Sequence, residues 1–286
     1  MSLIRILRHQ FQIRFGSRRI YYKNVEGKRE FYIRSHRQRK NKRGISAIMR
    51  VQNEEAYLEA AVLSALRLAD EVVCVDNFSS DKTLTIAKTL AAKDHRIRVY
   101  EYPFMCFESG PEHSGQPPNS IRSRSYFYNW CMSLANFSHL WKWDGDQVLS
   151  DSIGLKEREL ILNSDITHGF GVDLFSISPM IATKEPFTSN EPHFFRNSPG
   201  FHYFMGDPCE FFSYPNIFRG RRCKIGNLNS AYFYHLKYVN RGGIGKGWMP
   251  NWHENEYFHH LVNERKSQGE SFKEAIPKEF DLIKIQ

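Results

Sequence analysis

The chain has 286 residues, 41% of them hydrophobic and 25% charged, enough apolar material to bury a core in one large domain or two small ones, which excludes disorder throughout. The formal net charge of +9 is unevenly held: residues 1–43 carry 14 Lys or Arg against Glu26 and Glu30, a net of +12, whereas the other 243 residues carry 26 basic and 29 acidic groups, a net of -3. Five cysteines without a Cys-x-x-Cys spacing indicate neither a disulfide framework nor a structural zinc site and fit a reducing compartment, and no run approaches the roughly 18 apolar residues of a membrane span.

Taken in order, residues 1–43 form a basic arm. Leu3, Ile4, Leu7 and Phe11 fall at helical spacing among Arg5, Arg8 and Arg14, the pattern of a cationic amphipathic helix. Arg19 to Lys23 and Arg29 to Ile33, parted by Asn24-Val25-Glu26-Gly27, read as a hairpin, and the basic run Arg34 to Arg43 as a tether. A solvated face, an anchor on an anionic membrane surface and a nucleic-acid arm all remain open readings.

Residues 44–149 read as strand, helix, strand, helix, strand. Ile45 to Met49 is a buried strand broken by Gln52-Asn53-Glu54-Glu55, and Leu58, Ala61, Val62, Ala65 and Leu68 share one helical face. Glu71 to Asp76 is mostly apolar and belongs inside a parallel sheet. It ends in an acid. Asn77-Phe78-Ser79-Ser80-Asp81 supplies turn and capping residues for a second helix, and Arg96 to Tyr100 is a third strand. Pro103 to Ser120 is loop-like and long enough for a mobile flap. A helix follows with Arg122 and Arg124 near its start, and then the strand His139 to Trp143 runs out into Asp144-Gly145-Asp146. Paired hard oxygens of this kind suit a divalent cation that keeps open positions for phosphates, although Asp-Gly is also a common turn pair.

The succession implies an open α/β sheet whose ligands collect at the carboxyl ends of the strands. Asn53-Glu54-Glu55 after the first strand, Asp76-Asn77-x-Ser79-Ser80-Asp81-x-Thr83 after the second, and Asp144-x-Asp146 after an Arg-bearing helix with Tyr128-Asn129-Trp130 together resemble the family 2 glycosyltransferases of GT-A fold. The resemblance implies a mostly parallel open sheet flanked by helices and a nucleotide-sugar donor, a UDP-sugar foremost, lying across the strand ends. In that reading Asn53, Glu54 and Asp76 line the donor pocket, Arg122 and Arg124 reach its phosphates, and Asp144 and Asp146 hold Mn2+ or Mg2+. One departure from the family pattern is Lys82, which stands where a Gly is usual before Thr83.

Residues 150–250 read as the acceptor-binding half and 251–286 as a C-terminal helical segment. Gly154 to Leu162 suits a helix, Gly169 to Ile177 alternates like a strand, and Pro186 to Gly206 is loop-rich and aromatic. An inverting transfer needs a general base near the acceptor hydroxyl. Asp207 and Glu210 are the candidates, set in an apolar stretch bent by Gly206 and Pro208. His235, inside the aromatic run Ala231 to Tyr238, reads by itself as a satisfied core histidine, whereas the resemblance to GT-A enzymes implies a late His at the metal or diphosphate site, with Lys237, two residues on, on the same side of a strand as a donor-binding candidate. Gly242 to Gly247 lacks the P-loop spacing and suits a lid, and His253, His259 and His260 lack a zinc-protease spacing.

The expected activity is a metal-dependent transfer of sugar to a glycan or lipid-linked acceptor in surface polysaccharide or lipopolysaccharide synthesis, in the cytoplasm or peripherally at the inner membrane face. No nucleic acid is expected as a partner on that reading. The alternative is a non-catalytic nucleic-acid or anionic-surface binder acting through residues 1–43.

Overall fold

The computed structural model describes residues 20–38, 41–107, 110–178, 181–188, 192–206, 209–215 and 223–238. Its first half alternates as expected: β1 (Lys42–Val51), α1 (Leu58–Ala65), β2 (Glu71–Asp76), α2 (Thr83–Lys93) and β3 (Ile97–Glu101). A short helical turn, α3 (Pro111–Ser114), precedes α4 (Arg124–Ser133), and β4 (Phe137–Trp143) and β5 (Gln147–Leu149) flank the acid pair. After α5 (Leu155–Leu162) the chain is built of strands: β6 (Ile166–Ser178), β7 (Ile181–Thr188), β8 (Phe194–Arg196), β9 (His202–Phe204), β10 (Phe211–Ser213) and β11 (Ile225–Tyr238).

One sheet runs through both halves in the order β3-β2-β1-β4-β8-β6-β11-β5, with β7 on β6, and β9 and β10 form a separate ribbon. β3, β2, β1 and β4 are parallel. β6 and β11 are also parallel, but β8 pairs antiparallel with both β4 and β6, and so do β7 with β6 and β5 with β11. The expectation of a mostly parallel sheet therefore holds for the first four strands and for β6 with β11, and the whole is a mixed open sheet. Part of the physical reason is the connections: β6 and β7 are only two residues apart and so pair antiparallel, since a parallel crossover needs a dozen or more residues.

Side chains alternate across β1 and β2 into two cores. Met49, Val51 and Cys74 join Leu58, Ala61, Trp141, Trp143 and Phe233 on the α1 and α2 face. Ile48, Val73 and Val75 join Tyr102, Phe127 and Trp130 on the α4 face. All six residues of β2 are buried, as an interior parallel strand requires.

The expected hairpin over 19–33 is not formed among the described residues. Asn24 closes a compact loop instead, its amide donating to the Lys28 carbonyl at 2.9 Å while the Lys28 N–H donates to Asn24 Oδ1 at 2.8 Å. Residues 29–31 make one 3-10 turn. The segment is docked on the α4 core, with Phe31 edge-on to Tyr102 and Phe104 at ring distances of 5.3 and 4.9 Å and with Ile33 buried. The presumed flap is likewise tied down: Val25 N–H donates to the Asn119 carbonyl, and the Glu26 carboxylate accepts from Ser120 Oγ at 2.6 Å and from the Ile121 N–H at 3.0 Å. Among the described residues no helix is long and apolar enough to cross a membrane. The amphipathic helix read on Leu3 to Arg14, the Gly242 to Gly247 lid, the late histidines and the 251–286 segment lie outside the described residues.

Candidate functional site

The carboxyl ends of β1, β2 and β4 lie side by side, because β1 pairs in register with both neighbours: Val51 with Asp76, and Met49 with Trp143. The loops that leave them meet at that edge. Asn53, in a left-handed conformation (φ 56) that Asn tolerates, accepts from the Ser80 N–H at 2.8 Å through Oδ1, and its own N–H donates to Ser79 Oγ at 3.0 Å. The Glu54 N–H donates to Thr83 Oγ1, and Glu55 and Asp81 exchange bonds with each other's loops. Asn53 thus knits the two loops together. Glu54 packs under the acid pair, since a Cβ on Gly145 would stand 2.9 Å from Glu54 Cγ and 3.0 Å from Val51 Cγ1.

Asp76 is buried, and one oxygen accepts from the Ser79 N–H at 3.2 Å. The other, Oδ1, is buried without a hydrogen bond. Its side chain shares the parity of Cys74, so it points to the α1 and α2 side, away from the pocket described next. Asn77 reaches that pocket instead. Its amide nitrogen donates to the carbonyls of Tyr102 and Phe104 at 3.3 and 2.7 Å. Among the described residues its Oδ1 has no donor.

An open pocket of about 240 Å³ is lined by Arg50, Gln52, Asn77, Cys106, Phe107, Arg124, Phe127 and Tyr128. The Arg50 guanidinium carbon lies 3.7 Å from the Tyr128 ring centre and 5.6 Å from that of Tyr203. Burial, the largest influence, works against the Arg50 charge, but Tyr128, Tyr203 and Asp144 outweigh it and its pKa is raised. Arg124, the first residue of α4, donates to Tyr128 Oη at 2.8 Å and pairs with Glu210 at 3.4 Å. Arg122, before the helix, is exposed and lies over Phe107 at 5.9 Å. His113 is fully buried with neither ring nitrogen bonded, and burial lowers its pKa against the opposing charge of Glu210. Burial also pushes the Cys106 thiol up to about 12, so it is not a thiolate nucleophile at neutral pH.

Asp144-Gly145-Asp146 forms the turn between β4 and β5. Asp144 Oδ2 accepts from Gln147 Nε2 at 3.2 Å, which orients that carboxylate. Asp146 is buried, with Oδ1 3.4 Å from His235 Nε2, and its carbonyl accepts from the Leu236 N–H at 2.7 Å. The pairing of His235 with Gln147 across β11 and β5 delivers the histidine. Two hard oxygens and an imidazole suit Mn2+ or Mg2+ when phosphate oxygens complete the shell. Among the described residues no three His, Cys, Asp or Glu are gathered closely enough to hold a metal.

The structure therefore gathers Asn53, Glu54, Asp76, Asp144, Asp146 and His235 at one sheet edge, with Arg124 and Glu210 paired on the α4 side. Asp207 lies outside the described residues, and Lys237 is described only as a backbone position in β11. Arg50 and His113 were not singled out in the sequence, and Asn77 was named there only as a turn and motif residue. A charged residue at the end of an otherwise apolar strand was the available signal for Arg50.

Residues 46–104 match the family model described as glycosyl transferase family 2. Two relatives, from Rickettsia bellii and Rickettsia typhi, each called an uncharacterized glycosyltransferase, are 49% identical over 49 residues, which is 17% of this chain and 17% of each relative. Among solved structures, Staphylococcus aureus TarS 1-349 in complex with UDP is similar at 17% identity and a TM-score of 0.41, covering 66% of this chain and 59% of that one. The mannosyltransferase PcManGT of Pyrobaculum calidifontis, in complex with GDP-Man and Mn2+, is similar at 15% identity and a TM-score of 0.30, covering 49% and 38%. The match over residues 46–104 runs from within β1 through β3 and takes in the Asn53-Glu54-Glu55 and Asp76 to Thr83 motifs, so it is this part of the chain that is similar to glycosyltransferase family 2.

Proposed function

We propose that the chain transfers a sugar from a nucleotide-sugar donor, a UDP-sugar foremost, to a glycan or lipid-linked acceptor in surface polysaccharide synthesis. The observation that carries this is the open pocket at the strand ends with Asp144-Gly145-Asp146 and His235 at the same edge. A planar base fits between the Phe127 and Tyr128 side and the β1 end, where the free Asn77 Oδ1 accepts an N–H from the base edge. Asp146 with His235, and Asp144 beside them, would hold Mn2+ or Mg2+. Bound there, the cation supplies positive charge toward the departing diphosphate.

The chain's own residues do the rest. Asn53 and Glu54 fix the loops that carry the acids, and Asp207 or Glu210 takes the proton from the acceptor hydroxyl in an inverting displacement. Glu210 is held by Arg124, so its use as a base requires that pair to open. The basic residues 1–43 would bring the active edge to an anionic membrane surface.

Calorimetric titration of UDP, GDP and CMP with and without Mn2+ tests the reading. One nucleotide should bind with a requirement for both Mn2+ and Asp146, so that Asp146→Asn weakens it at least tenfold while unfolding at the same temperature. Absence of binding by all three would remove the donor site. Of Asp207→Asn and Glu210→Gln, the variant that removes the base should lose about 10² to 10⁴ in kcat.

A further inference from the structure

Among the described residues, the half-buried arginines find carboxylates. Arg98 meets Glu71 at 2.9 Å, Arg158 meets Asp70 at 2.8 Å and Arg124 meets Glu210 at 3.4 Å. Arg50 is the exception. Among the described residues its guanidinium has no hydrogen bond and no ion pair, only the faces of Tyr128 and Tyr203. Asp144 acts on it only through space, and a half-buried guanidinium whose N–H groups meet no carboxylate leaves its hydrogen-bonding capacity unused, which stacking on aromatic rings does not replace.

Its position is well defined. Ile48 faces the α4 core and Met49 the opposite one, so Arg50 projects to the α4 side and into the pocket wall. β1 pairs with β4 in parallel through Met49 and Trp143, which sets Arg50 beside Asp144 at the sheet edge. The guanidinium lies against the Tyr128 ring at 3.7 Å and lines the pocket. That planar fork matches a phosphate with two parallel hydrogen bonds. Arg124 cannot serve in the same way, because Glu210 and Tyr128 Oη already occupy it.

We infer that Arg50 is the oxyanion-binding residue of this pocket and takes the donor's diphosphate directly, between the base and the acid pair. The assignment rests on the donor reading above. It also offsets a physical difficulty of that site: two carboxylates repel a diphosphate, and a fixed guanidinium beside Asp144 counters the repulsion from the protein's side. Arg50 then acts on the leaving group, where negative charge develops as the sugar departs.

The test is titration of inorganic pyrophosphate, uridine and guanosine into the full chain in EDTA, so that no metal can carry the anion. Wild type should bind pyrophosphate. Arg50→Gln should weaken it about 10- to 100-fold while leaving nucleoside affinity unchanged, and Arg50→Lys, which keeps the charge and loses the fork, should fall between. Pyrophosphate binding that is absent in wild type, or equal in all three proteins, overturns the proposal. So does an equal loss of nucleoside, which would make Arg50 a base contact. Nucleoside binding without pyrophosphate binding sinks this proposal and leaves the donor reading standing, whereas failure of both probes removes both. Circular dichroism checks the fold of each variant; should Arg50→Gln unfold, the comparison of wild type with Arg50→Lys decides, since equal affinity there overturns the assignment.

Discussion

Phe78 departs most clearly from ordinary backbone chemistry in this site. It sits in the left-handed region at φ 65 and the residue is 55% exposed, so the conformation is neither eased by a missing Cβ nor repaid by burial. A side chain there costs about 1–2 kcal/mol relative to right-handed backbone. The turn is forced by its neighbours: Asn77 must donate to the carbonyls of Tyr102 and Phe104, and the Ser79 N–H to Asp76, which leaves Phe78 to make the bend between them. Phe78→Gly should therefore raise stability by about 0.5–1 kcal/mol, after allowance for the greater freedom of glycine in the unfolded chain. Urea unfolding measures it, and a loss of stability would mean that the ring packs where it is described as exposed. Sequence reading located the departure from family pattern at Lys82. The conformational one lies at Phe78, because φ is set by which loop groups must be satisfied and not by the residue type that satisfies them.

At the scale of elements, residues 20–38 are a packed part of the body. Charge dominates their composition, yet the residues that decide their place are Phe31, Ile33 and Asn24, and these are few. Deleting the chain through Gln38 should expose Tyr102, Phe104 and Trp130 and strip the Glu26 clamp from Ser120 and Ile121, just before Arg122 and Arg124. The truncated protein is expected to aggregate or to unfold at a lower temperature, and Glu26→Ala alone to cost about 1 kcal/mol and to speed amide exchange at Ile121. A soluble truncation with unchanged melting would show that the segment is dispensable. The same contrast explains what was legible elsewhere. β1, α1, β2, α2 and β3 were readable because their apolar periodicities are local and each strand follows its own helix. β8 and β9 fall inside a stretch read as loop, since three residues carry no period of their own and are strands only because β4, β6 and β10 pair with them. The acid pair was legible as a motif, whereas the delivery of His235 to it depends on β11 lying against β5, a long-range pairing that local pattern does not encode.

Over the whole molecule, the sheet is held at its centre by buried polar groups whose partners come from several elements, and these set how stability answers to pH. Glu71, buried at the start of β2, accepts from Ser46, Asn136 and Arg98. His139 in β4 is buried with Nε2 3.0 Å from the Ser164 carbonyl and Nδ1 3.0 Å from Ser138 Oγ, which fits a neutral ring that donates from Nε2 and accepts at Nδ1. Burial, the largest influence, lowers the His139 pKa below its ordinary 6.5, with the Ser164 contact opposing. The unfolded chain then binds a proton at a pH where the folded chain does not, so this contribution to stability is complete above pH 6.5 and is lost as pH falls below it. One such group changes the unfolding free energy by up to about 1.4 kcal/mol per pH unit in that window. His168, whose pKa burial also lowers, adds in the same direction. His139→Gln can still donate to Ser164 but cannot titrate, so its stability should fall less steeply than that of wild type between pH 6.5 and 5, and the two curves should converge as the solution is acidified. Chemical denaturation at half-unit steps of pH decides the matter. Parallel curves would place the acid sensitivity in other groups and would mean that the centre of the sheet tolerates a charged imidazole beside Ser138 and Ser164.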